Sequence, residues 1–263
     1  MAVIACLVLL FFCQISASIA NDRLVSVNAR HSYSLTTFDT DGKLTQVERA
    51  SRAALLGTPV VAFCFNTTIY FSAPQAFPSP FIVDDGTSRF AKVSDTIIVS
   101  HTGIAADGRI AIAAAQRCAI SHEYTYDESM PIEAFLEEMS LFFQEYTMKA
   151  GVRPFGCALI VGSLEGNQLY RLDPSGAVET LGAFGVIGSM SSKLQDSMEK
   201  IRDRFENSEG KQEHVQAALS EALVKAINEV SSDKKAKVQT VLTACFSKEK
   251  FSVYRVNTTT SDE

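Results

Sequence analysis

Four histidines and six cysteines are the residues of this 263-residue chain best suited to metal or nucleophilic chemistry. His31, His101, His122 and His214 stand far apart, without HExxH or Cys/His ligand spacing. Each reads as a solvated or locally hydrogen-bonded side chain, and no metal site is expected. Cys64, Cys118, Cys157 and Cys245 lie inside separate apolar stretches with no CxxC spacing. They read as buried free thiols, because cysteine commonly packs as a small core residue. No Walker or GxGxxG phosphate loop occurs, so no cofactor is expected. Asn66-Thr67-Thr68 and Asn257-Thr258-Thr259 are glycosylation sequons, which carry meaning only if the chain enters the secretory route.

Composition narrows the partners. The chain is 46% hydrophobic and 21% charged, which is ordinary for a soluble globular protein. Its net charge of −6 argues against a nucleic-acid surface, which would show basic clustering; Lys234-Lys235-Ala236-Lys237 reads as a solvated loop. Met1 to Cys13 is an uninterrupted apolar run that includes Cys6 and Cys13, followed by Ser16-Ala17-Ser18-Ile19-Ala20. A run this short suits a signal-peptide core, with Ser18-x-Ala20 as its cleavage site, better than a membrane span. No Lys or Arg precedes it, so a mistaken start codon and an uncleaved anchor stay open. Residues 1–20 are therefore set apart as a signal-like segment, and 21–263 are expected to form one domain. A membrane enters only if the apolar segment is retained.

The elements that must position any site alternate in blocks. Val60 to Phe65 and Thr68 to Phe71 read as strands around a turn at Asn66-Thr67, and Ser72 to Pro80 as a loop or poor edge strand, because proline cannot donate to a ladder. Ser88 to Val93 and Thr96 to His101 are further strands. Helices are expected over Ala106 to Ser121, with Ile110, Ala113, Ala114 and Arg117 at helical steps, and over Pro131 to Lys149. In the second helix Phe135, Met139, Phe142, Phe143 and Tyr146 form a stripe that reads as core. Cys157 to Gly162, Gln168 to Leu172, Ala177 to Thr180 and Ala183 to Ile187 follow as strands, with a turn at Asp173-Pro174-Ser175-Gly176. Helices over Ser191 to Asn207 and Glu213 to Val230, then strands over Lys237 to Phe246 and Phe251 to Val256, close the chain. Such blocks of strands and helices imply an α+β domain of antiparallel sheets covered by helical layers.

The most specific wording lies between Tyr33 and Leu55. A turn at Asp39-Thr40-Asp41-Gly42 leads into a helix beginning near Lys43. Leu44, Val47, Ala50, Ala54 and Leu55 line one side of it, and Gln46, Glu48, Arg49 and Arg52 the other. SLTTFDTDGKLTQVERA resembles the amino-terminal signature of alpha-type proteasome subunits, T-x-F-S-P-x-G-x-L-x-Q-V-E-Y-A, and its lead is closest to the alpha-2 type. Phe38, Gly42, Leu44, Gln46, Val47, Glu48 and Ala50 match the motif. GVRPFGCALIVG resembles the family's R-P-F-G strand, LYRLDPSG its D-P-S-G turn, and Phe142 to Thr147 the helix end before that Arg. The likeness runs from about residue 31 to at least 190.

The resemblance implies a four-layer α-β-β-α sandwich of two antiparallel sheets, the amino-terminal nucleophile hydrolase fold. It implies a non-catalytic member of an outer ring in a 20S proteasome core particle, partnered by other alpha subunits and by beta-ring subunits. It also implies work in ubiquitin-dependent protein degradation, in cytoplasm and nucleus. Tyr33, Phe38, Thr40, Gly42, Gln46, Glu48 and Arg49 become the gate and ring-contact candidates. In beta-type relatives a freed amino-terminal Thr is the nucleophile; here Thr58 stands near that place, Lys92 near the family Lys, and Asp173 at the family Asp beside its turn. Three departures oppose catalysis: Pro59 follows Thr58, Pro74 falls where the second-strand Asp would be, and the alpha-type helix precedes Thr58.

Other departures concern gating. Thr40 replaces the motif's Pro and Arg49 its Tyr, while His31 and Ser32 stand where the gate-ordering cluster has Tyr and Asp. The family's pocket Lys, which attracts activator carboxyl termini, should lie near Gln75 or Ala76, yet no Lys occurs between Lys43 and Lys92. The apolar head, the sequons and these changes leave a second reading: a diverged paralogue outside the particle, with a structural or binding role in the endoplasmic reticulum or secretory route.

Overall fold

A computed structural model of the chain describes residues 36–39, 41–75, 89–189, 191, 194–196, 199 and 240–257. Helix α1 spans Thr45–Leu55, and strands β1 (Val60–Phe65) and β2 (Thr68–Gln75) form a hairpin after it. Asn66 takes a left-handed φ of 54° at their two-residue turn, which an Asn tolerates better than most side chains. Next come β3 (Phe90–Lys92), β4 (Ile97–Gly103), α2 (Ala105–Tyr126) and α3 (Ile132–Met148). The remaining described elements are strands β5 (Cys157–Ser163), β6 (Gln168–Leu172), β7 (Val178–Gly182), β8 (Phe184–Ile187), β9 (Thr240–Phe246) and β10 (Phe251–Asn257).

The strands make two five-stranded sheets, ordered β10-β9-β2-β1-β8 and β3-β4-β5-β6-β7. The ladders are antiparallel. Alternation along the strands sorts side chains between two cores. Ile98 and Ile160 face the other sheet, meeting Val60, Ala62, Ile69, Phe71, Leu242 and Phe246. Their neighbours Ile97, Val99, Leu159 and Val161 turn the opposite way, onto α2 and α3. β4 and β5 are therefore apolar on both faces, which explains the unbroken CALIVG run. The two antiparallel sheets and their helical cover are the α+β sandwich expected.

Helix α3 attaches through its predicted stripe: Phe135, Met139 and Phe143 are buried, with Phe142 and Tyr146 packed beside them. Phe155 of the R-P-F-G segment wedges into that stripe, 4.5 Å from the Tyr146 ring and 5.2 Å from Phe143. Removing one such ring, as in Phe143→Ala, costs about 3–5 kcal/mol. Helix α2 buries only part of the row expected: Ala114 is buried, but Ile110 and Arg117 are exposed. Ala111, Ala115 and Ala119 are buried, whereas Ile110 is 52% exposed. Small side chains at a four-residue step bring the helix close to the sheet, and Ile110 falls outside that row. The helix also runs on to Tyr126 before Asp127 ends it in a left-handed conformation.

Pro74 corrects the expected end of the second strand. β2 continues to Gln75, with Pro74 opposite Val241 of β9. The β1 ladder reaches only Val61↔Ser72, so Pro74 has a ladder neighbour on one side alone and its missing N–H is tolerated. Residues 191, 194–196 and 199 are helical and Leu194 is buried. The rest of the helices expected over 191–207 and 213–230 lies outside the described residues.

Candidate functional site

The amino-terminal signature is built as a closed turn on a shallowly seated helix. Gly42 N–H donates to the Asp39 carbonyl at 2.9 Å, and Asp39 N–H to the Lys43 carbonyl at 2.9 Å. Gly42 sits at φ +74°, a conformation that favours glycine. Helix α1 then buries only Ala50 and Ala54; Leu44 and Val47 are half-buried, and Leu55 is exposed rather than part of the docked face. Glu48, Arg49 and Arg52 point to solvent, with Lys43 3.8 Å from Glu48. Phe38 is 64% exposed just before the turn. Phe38, Gly42, Glu48 and Arg49 are each exposed, and Gln46 is half-buried. Tyr33 and Thr40 lie outside the described residues, as do His31, Ser32 and Ala76.

The far end of α1 meets both sheets in a junction of glycines. A Cβ on Gly57 would collide with the Gly103 backbone, and one on Gly103 with the Gly156 carbonyl. Gly188 presses on Thr58 and Pro59 in the same way, its hypothetical Cβ 2.9 Å from the Thr58 oxygen. The Thr102 hydroxyl donates to the Thr58 carbonyl at 2.8 Å, with the Ala54 carbonyl 3.4 Å away. Ser189 N–H donates to the Gly57 carbonyl at 2.9 Å. A cavity of about 20 Å³ lies beneath α1, lined by Ser51, Thr102, Arg171, Asp173 and Ser191 among others. Of these junction residues the sequence named Ala54, Thr58, Pro59 and Asp173, with Gly156 and Arg171 inside quoted motifs, but not Thr102, Gly103, Gly188 or Ser189. The Thr102-Gly103 pair at the end of a strand was the available signal for the rest.

The residues with nucleophilic or acid–base potential are occupied otherwise. Lys92 reaches the exposed Asp95 carboxylate at 2.6 Å. Asp173 accepts from Arg171 Nε at 2.7 Å, and Glu179 lies 3.7 Å from the same guanidinium. Thr58 is an internal residue whose carbonyl is bonded to Thr102. Burial pushes the thiols of Cys64 and Cys157 up to about 12, which keeps both protonated at neutral pH. Cys118 and Cys245 are half-buried rather than buried, a correction to the expected core setting, and burial raises both.

His101 corrects another expectation. Its ring is 6% exposed, packed on Gly108 of α2, and its Nδ1 finds no hydrogen-bond partner among the described residues. Alternation along β4 directs it there: His101 shares the side of Ile97 and Val99, which faces the helices, and its ring lies under the first turn of α2. Burial, reinforced by Arg89 and Arg109, depresses it to about 4. Among the described residues no group of three or more His, Cys, Asp or Glu could hold a metal ion, and no helix is long and apolar enough to cross a membrane.

The other two motifs serve the scaffold. Arg153 forks onto Asp107 of α2 with bonds of 2.6 and 2.8 Å, and Asp107 also accepts from Gly156 N–H at 2.8 Å. The D-P-S-G turn closes with Gly176 N–H on the Asp173 carbonyl and docks on α3, where Ser140 Oγ donates to the Gly176 carbonyl at 2.6 Å.

Comparison with known proteins agrees with this arrangement. The family model described as proteasome subunit matches residues 55–241. A proteasome subunit alpha type-2 from Trypanosoma brucei brucei is 35% identical over 190 residues, 72% of this chain and 80% of the relative. An archaeal proteasome subunit alpha, from Pyrobaculum aerophilum, is 31% identical over 65% of this chain and 71% of its own length. The alpha type-2 subunit of Drosophila melanogaster is 32% identical, over 56% of this chain and 64% of that relative. The chain therefore belongs to the proteasome subunit family, as a diverged, alpha-2-like member.

Proposed function

We propose that this chain is a non-catalytic alpha-ring subunit of a 20S proteasome core particle. It contributes to ring assembly and to gating of substrate entry in ubiquitin-dependent protein degradation, in cytoplasm and nucleus. Its partners are other alpha subunits and the beta ring, and residues 21–263 act as the single domain that enters the ring. One observation carries this reading. Helix α1, which carries the signature, is packed into the fold ahead of Thr58 through Ala50 and Ala54, with Gly57 N–H on the Ala54 carbonyl and the Gly57 carbonyl accepting from Ser189 N–H. A Thr nucleophile of this fold needs a free amine beside its hydroxyl, and in a chain that keeps α1 the Thr58 nitrogen is a peptide nitrogen.

Phe38, Gly42, Gln46, Glu48 and Arg49, with Tyr33 and Thr40 before and within the turn, form the ring and gate contact. Neighbouring copies in such a ring meet through unlike surfaces closed by rotation, and the exposed side of α1 with the preceding turn supplies one of them. The test is co-expression with alpha-type partner subunits followed by native mass spectrometry. Incorporation of the chain into a ring is the expected result, with peptide hydrolysis of the assembled particle unchanged by Thr58→Ala. A chain that stays monomeric in the presence of its partners, or a loss of hydrolysis in the Thr58→Ala particle, overturns the proposal.

A further inference from the structure

We infer that Thr102 is the residue that seats α1, and that by setting the helix's angle it controls whether the subunit fits a ring. The second half rests on the function proposed above; the first stands on geometry alone. Helix α1 is anchored by little apolar surface, since only Ala50 and Ala54 are buried along its eleven residues. Alanine side chains bury too little area to fix the rotation of a helix about its axis. Nor does close packing complete the underside, where a small cavity is left between apolar side chains such as Leu55, Val186 and Ile187 and the polar Ser51, Thr102 and Asp173.

A directed bond therefore adds to the seat, and the single O–H of Thr102 supplies it. Its side chain is 1% exposed. Oγ1 lies 2.8 Å from the Thr58 carbonyl, in the segment leading into β1, and 3.4 Å from the Ala54 carbonyl in the last turn of α1. It also borders Gly57 and Gly188, where a Cβ would stand 2.6 Å from Oγ1 in each case. One hydroxyl thus spans the end of the helix, the start of the first strand and the strand segment that follows β8. The glycines let these backbones approach; the hydroxyl gives the approach a direction. Valine has nearly the same shape as threonine but lacks that donor, and serine keeps it.

The experiment compares wild type, Thr102→Val and Thr102→Ser by native-state hydrogen exchange of the full chain and by incorporation into rings with alpha-type partners. Losing one buried hydrogen bond corresponds to about a tenfold change in a local equilibrium. The Val variant is expected to exchange its α1 amides about tenfold faster with β5 amides unchanged. Its ring incorporation should fall by a similar factor, and the Ser variant should restore both. If the Val variant accelerates α1 and β5 alike, or leaves α1 unaffected, Thr102 does not position the helix and the inference is overturned. If α1 responds but incorporation does not, control of ring entry by the seat is overturned. A wild-type chain that never enters a ring refutes the proposed function, while the exchange data still decide the role of Thr102.

Discussion

Arg153 and Asp107, forty-six residues apart, form a two-bond fork of 2.6 and 2.8 Å that ties the R-P-F-G segment to the first turn of α2. The Arg153 fork, with help from Gly156 N–H, holds the Asp107 carboxyl below the usual carboxylate range against the opposing effect of burial. A depressed carboxylate stabilises the fold above its unfolded pKa, and that contribution is lost as pH falls through the folded value. Asp107→Ala leaves Gly156 N–H without its acceptor and is expected to cost about 2–3 kcal/mol, read as a lower urea midpoint at pH 7. Arg153→Lys keeps the charge but not the fork, and should cost about 1 kcal/mol.

His101 predicts a second pH dependence with a different window. Its folded value of about 4 lies below the ordinary 6.5, so the unfolded chain takes up a proton first as pH falls. Stability from this group is whole above about pH 6.5 and declines between there and pH 4. Arg89 and Arg109 add charge of the same sign as imidazolium to the effect of burial. Between pH 7.5 and 5 the loss should be about 2 kcal/mol. His101→Phe removes the titration, and its urea midpoint should vary less over that range. An equal slope in both proteins would assign the pH dependence elsewhere.

Gly108 tests the same contact by shape. Alanine is favoured over glycine inside a helix by about 1 kcal/mol, so Gly108→Ala would stabilise an exposed helix. Here the added Cβ meets the His101 ring, which is buried on β4 with no room to retreat. The clash should outweigh the propensity gain and lower stability by about 1–3 kcal/mol. The double variant Gly108→Ala with His101→Ala should recover part of that loss. A stable Gly108→Ala single variant would show that the ring moves freely.

Period and punctuation made most of this fold legible. The CALIVG run, the Phe/Met stripe and the D-P-S-G turn each depend on residues adjacent in sequence, and each lies where the pattern placed it. What escaped depends on partners distant in sequence. Pro74 continues a strand because β9, more than 160 residues later, supplies its ladder on one side. His101 is buried because Gly108, on the next element, makes room for its ring. Ile110 and Leu55 carry apolar side chains at helical steps yet face solvent, since small alanines brought their helices onto the sheets instead. The signature turn was readable as a local motif; the seat of its helix on Thr102, Gly103 and Gly188 was not, since these come from two segments far from it in sequence.

Gln75 supplies a prediction about regulation of the assembled particle. It ends β2 half-buried, near where related subunits are expected to offer a lysine to the carboxyl termini of activators. An amide offers no net charge to a carboxylate, whereas a lysine gains Coulomb attraction of about 1–4 kcal/mol near the surface. Between Lys43 and Lys92 the chain has no lysine to substitute for it. Docking of an activator tail at this subunit's pocket should therefore be weak or absent. Gln75→Lys is expected to strengthen activation of the particle by peptides ending in such a tail, and the gain should shrink at high salt, as a charge interaction does. Equal activation of wild-type and Gln75→Lys particles would mean that the pocket fails for a reason other than its missing charge.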